Sequence, residues 1–522
     1  MAARRVAIIG AGASGLCALK CCLDEGLEPT CFERSGDIGG LWRFEERPEE
    51  GRASIYRSVI INTSKEMMCF SDFPIPEDFP NYMHNSKIME YFHMYAQHFD
   101  LLRHIRFGTS VCCVSKRPDF AATGQWEVVT ENEGKQEAAV FDAVLVCSGH
   151  HTDAHLPLSA FPGLEKFEGW YLHSRDYKSP QSFSGKQVVV VGTGNSGIDI
   201  AVELSHAAKQ VFLSTKRGTW VLHRLADGGY PFDFTYVSRF TQVLRSLLPQ
   251  STINFYLERK LNARFNHALY SLQPRILDQH PTINDDLPNR IISGRVIVKP
   301  NIQEFTETSA IFEDGTREDI DAVVFATGYS FSFPFLEKYV KVVENQISLY
   351  KFMFPPDLEK PTLAFIGLIQ PLGAIMPISE LQCRWATRIF KGLQDLPPST
   401  AMLADITQTK EKMRHTIQVD YIPYMDELAC QVGVKPNLLT LFLTDPKLAL
   451  EVAFGPCTPY QYRLRGPGEW AGAREAILTQ RQRVLRPLQT RAGDRPARSS
   501  TVLLCLTFLL CQGHTRSCWG QL

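Results

Sequence analysis

Two hexapeptides in this chain have the glycine spacing that a nucleotide pyrophosphate requires. Gly10-Ala11-Gly12-Ala13-Ser14-Gly15 follows the apolar run Arg5-Val6-Ala7-Ile8-Ile9, and Gly192-Thr193-Gly194-Asn195-Ser196-Gly197 follows Gln187-Val188-Val189-Val190-Val191. In a G-x-G-x-x-G turn the first glycine permits the tight turn, the second lets the backbone approach the pyrophosphate, and the third lets a helix pack on its strand. The phosphates then meet the unpaired N–H groups of the helix N-terminus. A single such turn is a weak signal, but each of these lies between a strand-like run and a helix-like one. The helices are expected over Leu16–Leu23 and from Ile198 to about Ala208.

The residue ending the next strand distinguishes the two sites. After Pro29-Thr30-Cys31-Phe32 comes Glu33, placed to accept hydrogen bonds from ribose hydroxyls. After Gln210-Val211-Phe212-Leu213-Ser214 come Thr215, Lys216 and Arg217, which suit a 2′-phosphate and favour NADP over NAD. Two dinucleotides held at once point most naturally to FAD exchanging hydride with NADPH.

The whole chain is consistent with such a scaffold. Its 522 residues are 44% apolar and 21% charged, enough for several domains with large cores and no need of disulfide or metal staples. A formal charge of −1 argues against a nucleic-acid partner. The 14 cysteines include no Cys-x-x-Cys pair, so free thiols in a reducing compartment are expected, and a disulfide reductase lacks its redox couple. His150, His151 and His155 complete no metal-ligand set, so no metal is expected. The spacing of His173 and Tyr177 suits a satisfied structural histidine better than an acid–base pair. By its type alone, Asn62 reads as a turn residue capping the next segment.

Other segments carry a resemblance. Phe167-Glu168-Gly169-Trp170-Tyr171-Leu172-His173-Ser174-Arg175-Asp176-Tyr177 fits F-x-G-x-x-x-H-x-x-x-Y, the identifying sequence of the flavin-containing monooxygenases. Asp37-Ile38-Gly39-Gly40-Leu41-Trp42, Asn62-Thr63-Ser64-Lys65-Glu66-Met67-Met68-Cys69-Phe70, Cys147-Ser148-Gly149-His150-His151 and Phe325-Ala326-Thr327-Gly328-Tyr329 are similar to that family too. The resemblance runs over roughly residues 4–490. Asn284-Asp285-Asp286-Leu287-Pro288-Asn289-Arg290 and Gly373-Ala374-Ile375-Met376-Pro377-Ile378-Ser379-Glu380 resemble one vertebrate isoform, the one associated with ketones.

The resemblance implies FAD contacts at Gly10, Ala11, Gly12, Ala13, Ser14, Glu33, Leu41, Trp42, Asn62 and Thr63. It implies NADP contacts at Asn62, Thr63, Ser196, Gly197, Ile198 and Asp199. Gly15, Gly192, Gly194, Lys216 and Arg217 join these as cofactor residues, and Thr327-Gly328 as the hinge between the two nucleotide domains. Asn62 is the implied catalytic residue: an amide can hold an oxygenated flavin by donating and accepting without adding a charge. The implied activity is reduction of FAD by NADPH, formation of a C4a-(hydro)peroxyflavin with O2, and insertion of one oxygen into a small lipophilic substrate. Tyr177, where dedicated Baeyer–Villiger enzymes carry Trp, argues for N- and S-oxygenation. The isoform resemblance argues for oxidation of ketones to esters, which is favoured. An uncoupled NADPH oxidase producing hydrogen peroxide is the remaining alternative.

The expected fold is α/β, with two Rossmann-like domains and the NADP domain inserted into a discontinuous FAD domain. The FAD domain takes residues 1–160 and 331–445, the NADP domain 161–330 with a helical insertion at about 219–286, and a C-terminal extension 446–498. The tail 499–522 contains the apolar run Thr501–Cys511, preceded by an arginine-rich stretch with the sign of a cytoplasmic juxtamembrane segment. Membrane association through the C-terminal region, on the cytoplasmic face of the endoplasmic reticulum, is expected from the family, and an oligomer is compatible with the chain.

Overall fold

The computed structural model describes residues 4–272, 281–412 and 417–491. Its centre is a parallel sheet of five strands in the spatial order Leu363–Phe365, Ala143–Val146, Arg5–Ile9, Glu28–Phe32 and Ile105–Arg106. Val6-Ala7-Ile8-Ile9 and Ala143-Val144-Leu145-Val146 are buried along their whole length, as strands covered on both faces must be. One face carries the helices Ala13–Asp24 and Ile375–Lys391 within a large core; the other packs on Trp126, Phe141 and Phe333.

A second parallel sheet has the order Val296–Lys299, Gln210–Ser214, Gln187–Val191, Ala322–Phe325 and Trp170–His173. All of its strands lie in sequence between Ala143–Val146 and Leu363–Phe365, which are hydrogen-bonded neighbours in the first sheet. The second body therefore interrupts the first between two adjacent strands. The two connections run side by side, with Asp153–Ala154 paired antiparallel to Tyr329–Ser330.

The stretch expected as a helical insertion closes on itself through Val221–Leu222 and Thr282–Ile283, which pair in parallel. Between them lie the helices Phe232–Tyr236, Arg239–Leu247 and Gln250–Asn262. The C-terminal extension packs on the first body through buried charges. Arg463 donates to Glu380 and to Ser71 Oγ (2.6 Å) and lies 2.9 Å from Asp72, which also receives Lys20 at 2.5 Å. The described cysteines are free thiols. No helix among the described residues is long and apolar enough to cross a membrane; the run Thr501–Cys511 lies outside them.

Candidate functional site

The first turn is built by contacts that only glycine allows at its two ends. Gly10 has φ +99°, and a Cβ there would lie 2.8 Å from Cys147 O; one at Gly15 would lie 1.9 Å from Gly10 O. The Gly10 N–H donates to Phe32 O at 2.9 Å, closing the turn onto the neighbouring strand. The second turn repeats each feature: Gly192 has φ +108° and abuts Ala326 O, Gly197 abuts Gly192 O, and the Gly192 N–H donates to Ser214 O at 2.9 Å. Both helices begin one residue after the middle glycine, at Ala13 and Asn195. The second helix ends at Leu204, short of the expected Ala208, as the chain turns through Ser205–Ala208 toward the next strand.

The middle glycines are different. A Cβ at Gly194 would meet nothing within 4 Å, and one at Gly12 would come no nearer than 3.6 Å, to Gly40 Cα. The chain's own packing does not demand glycine at either position. What fits is a phosphate group resting on the backbone, since a side chain there would fill the cradle. Leu41 and Trp42 are brought to the first cradle by the turn Gly40–Trp42, whose preceding Gly39 N–H donates to Ala11 O at 3.0 Å. Ser14 Oγ lies on the same side, 3.1 Å from Ser379 Oγ.

Glu33 is buried at the end of its strand and has a second task. Its Oε2 accepts from the Ala11 N–H at 2.8 Å, while Oε1 accepts from the Ser35 N–H (2.9 Å) and Oγ (2.6 Å). A carboxylate offers about four acceptor sites, so these bonds fix the glycine turn and leave capacity for ribose hydroxyls. At the equivalent point of the second sheet, Lys216 and Arg217 are exposed. Thr215 Oγ1 accepts from the Gly218 N–H at 2.9 Å and meets Thr193 Oγ1 at 3.2 Å, tying this strand end to its turn.

Asn62 and Thr63 sit in a loop held by the insertion. Arg224 Nη2 donates to Asn62 Oδ1 at 2.7 Å, and the Ser64 N–H donates to Asp233 Oδ2 at 2.7 Å. Arg224 is paired in turn with Asp285: its Nη1 reaches Oδ2 at 3.1 Å and its N–H reaches Oδ1 at 3.0 Å. Burial works against ionisation of Asp285, yet hydrogen bonds from His223 and Arg224 hold its carboxyl down at about 2.

The comparisons with known proteins agree with this geometry. The family described as flavin-binding monooxygenase-like matches residues 3–512. Flavin-containing monooxygenase 5 of Oryctolagus cuniculus is 64% identical over 521 residues, covering 98% of each chain. The chain belongs to the flavin-binding monooxygenase-like family. Dimethylaniline monooxygenase [N-oxide-forming] 2 of Cavia porcellus is 59% identical over 502 residues, covering 94% of each chain. Among solved structures, S-allyl-L-cysteine S-oxygenase from Allium sativum superposes with a TM-score of 0.65 at 23% identity, covering 92% of this chain and 99% of that one, a likeness of fold.

As a member of this family the chain is a flavin-dependent monooxygenase that uses FAD and NADPH. Its two cradles fit the two dinucleotides, each with a middle glycine that leaves room for a phosphate on the backbone. The structure does not gather every expected residue on the cradle surface. Ile198 is wholly buried in the core, and Asp199 is engaged by Tyr56, which donates to Oδ2 at 2.6 Å, and by Asn284, which donates to Oδ1 at 2.8 Å. Burial raises the Asp199 carboxyl above its usual value.

The identifying sequence of this monooxygenase works as a linker. His173 is buried; its Nε2 meets Gly328 O at 3.0 Å and its Nδ1 accepts from the Arg175 N–H at 3.1 Å. Accepting at Nδ1 places the ring hydrogen on Nε2, which therefore donates to Gly328 O. Tyr177 is buried and packs edge-on against Tyr56, the residue that grips Asp199. Thr327 Oγ1 donates to His155 O, and the His155 N–H donates to Gly328 O at 3.0 Å, so the Thr327-Gly328 pair is stitched to the other connection. The rings of His150 and His151 meet at 4.2 Å with their planes tilted by 59°, and His151 lies 5.3 Å from Tyr329. Sequence reasoning missed Arg224, Asp285, Asp233 and Tyr56 as site residues; only the segment Asn284–Arg290 had drawn attention, as part of the resemblance.

Proposed function

We propose that this monooxygenase oxidises small lipophilic ketones to esters in a Baeyer–Villiger reaction, with N- and S-oxygenation of amines and sulfides as the second reading. The observation that carries the first is the near-full-length similarity to flavin-containing monooxygenase 5, joined to the isoform-like segments Asn284–Arg290 and Gly373–Glu380. The 59% identity to an N-oxide-forming relative favours the second. The overall balance is ketone + NADPH + H+ + O2 giving ester + NADP+ + H2O. FAD reduced by NADPH supplies the activated oxygen.

The chain's own groups bind, orient and shield. The first cradle, with Glu33, Leu41, Trp42, Asn62 and Thr63, would hold FAD, while the second, with Ser196, Lys216 and Arg217, would hold NADP(H). Asn62 would offer amide hydrogens to oxygen at the reaction centre without introducing a charge. The half-buried grip of Asp233 and Arg224 on the loop would keep that amide in place. Product analysis with NADPH, O2 and equal amounts of an aliphatic methyl ketone and a tertiary amine tests the reading. Ester as the main product supports it, N-oxide supports the second reading, and hydrogen peroxide alone would mean an uncoupled NADPH oxidase.

We also propose attachment to the cytoplasmic face of the endoplasmic reticulum membrane. Apolar side chains stand in solvent on the insertion and the C-terminal helices: Leu247 is 75% exposed, Leu439 78% and Leu443 87%. Phe240 and Phe454 join the two regions at a ring separation of 5.2 Å. Exposed apolar groups on adjoining helices suit an interface with lipid. Glutamate at Leu247 and Leu443 together should move the protein from the microsomal to the soluble fraction, and so should truncation after Arg498 if the tail contributes. An unchanged distribution for both variants rules out these two attachments.

A further inference from the structure

Resting on the role given above to Asn62, we propose that Arg224 is a positioning residue that fixes the orientation of the Asn62 amide. Arginine carries hydrogen-bond donors and no acceptor. With Arg224 Nη2 at 2.7 Å, the side-chain oxygen of Asn62 is compelled to face the guanidinium, and the NH2 group is turned the other way. The reversed amide would set two donors against each other and leave both without partners, at the cost of a charge-assisted bond. Asn62 therefore presents hydrogens, not an acceptor, to whatever oxygen lies across from it.

Arg224 can impose this because its two terminal nitrogens and its backbone are themselves held. Asp285 accepts from both its side chain and its N–H. Its carbonyl accepts from the Tyr82 hydroxyl and the Phe232 N–H, each at 2.7 Å, and its guanidinium lies 6.0 Å from the Tyr82 ring centre. Arg224 follows the strand that opens the insertion and Asp285 follows the strand that closes it, so both ends of the inserted segment converge on one amide. Arginine keeps its charge throughout the working pH range. A lysine could reach Asn62 or Asp285 from a single nitrogen but could not reproduce the planar fork that serves both.

The test uses the FAD-loaded full chain as wild type, Arg224→Gln, Arg224→Lys, Asp285→Asn, Asn62→Ala and the double variant Asn62→Ala/Arg224→Gln. Two quantities are read: the NADP+ dissociation constant, from the absorbance change of the oxidised flavin, and the rate of hydrogen peroxide formation with NADPH and O2 but no substrate. The latter follows NADPH + H+ + O2 giving NADP+ + H2O2. Arg224→Gln should change both by about tenfold, the size expected when a hydrogen bond to a charged group is lost. Arg224→Lys and Asp285→Asn should fall between it and wild type, and the double variant should differ from Asn62→Ala by no more than about twofold. Wild-type behaviour of Arg224→Gln beside a defective Asn62→Ala overturns the positioning role, as does a double variant whose defect is the product of the two single ones. Wild-type behaviour of Asn62→Ala would instead remove the underlying role of Asn62. Should Arg224→Gln fail to fold, Arg224→Lys and Asp285→Asn decide: both unchanged in both readouts overturns the proposal.

Discussion

The Tyr56 hydroxyl donates to Asp199 Oδ2 at 2.6 Å, so a side chain from the first body grips the helix that begins the second nucleotide turn. The same tyrosine ring receives Tyr177 of the identifying sequence at 6.0 Å. The motif thus supports the contact that sets one body against the other. Replacing Tyr56 by Phe keeps the ring packing and removes the hydroxyl, leaving Asp199 with Asn284 alone. We expect weaker NADP(H) binding by about tenfold with FAD content unchanged, measured as the NADP+ dissociation constant. Equal loss of both cofactors would mean that the contact supports the fold and not the alignment of the two bodies.

Gly194 and Gly197 separate binding from packing within one turn. Gly194 has an ordinary φ of −71° and open space where a Cβ would stand. Gly194→Ala should leave the melting temperature unchanged while NADPH affinity drops. A Cβ at Gly197 would lie 2.1 Å from Gly192 O. Gly197→Ala should cost about 1–3 kcal/mol of stability, as overpacking does, seen as a lower denaturation midpoint even without cofactor.

Lys216 and Arg217 are exposed just after the strand Gln210–Ser214, where the sequence leads one to expect contact with a 2′-phosphate. Glutamate at both positions should lower kcat/KM for NADPH by about 10–100-fold, the range expected for lost charge-assisted bonds. The value for NADH should change little, because its ribose carries no 2′-phosphate. A parallel loss for both coenzymes would place these side chains away from the phosphate.

His267 makes the insertion acid-sensitive. Its Nε2 accepts from the Val221 N–H at 3.1 Å, which assigns the ring hydrogen to Nδ1, the donor to Asn262 Oδ1 at 3.0 Å. Burial lowers its pKa to about 4. The unfolded chain takes up this proton near pH 6.5 and the folded chain only near 4, so stability contributed here is complete above the higher value and declines as pH falls between the two. The melting temperature of wild type should fall over that window. His267→Gln, which retains a donor and an acceptor, should flatten that part of the profile.

The glycine turns were legible because everything they need is local: six residues, a strand before and a helix after. Glu33 stands at its strand end beside the first turn, and its bonds to Ala11 and Ser35 show that the acidic residue shapes that turn. Arg224 was not, because 162 positions separate it from Asn62 and only the folded insertion brings them together. Tyr56 lies 143 positions from Asp199 and carries no spacing signal of its own. The resemblance implies a cofactor contact at Asp199, and no spacing reveals that Tyr56 and Asn284 each donate to one of its oxygens. Both helices start just after the middle glycine, three residues before the expected Leu16 and Ile198, and the ending at Leu204 depends on the packing of the next turn.

The paired connections Asp153–Ala154 and Tyr329–Ser330 also settle how load passes between the two halves of the molecule. Two separate tethers would let the smaller half tilt in any direction. A two-stranded ribbon is stiff to bending in its own plane and compliant to torsion, so the smaller half is suspended from one axle. Gly328, with φ +85° and its carbonyl shared by His155 and His173, stands on that axle. Rotation about that axle is opposed by the Tyr56–Asp199 bond, which joins the two halves through other residues.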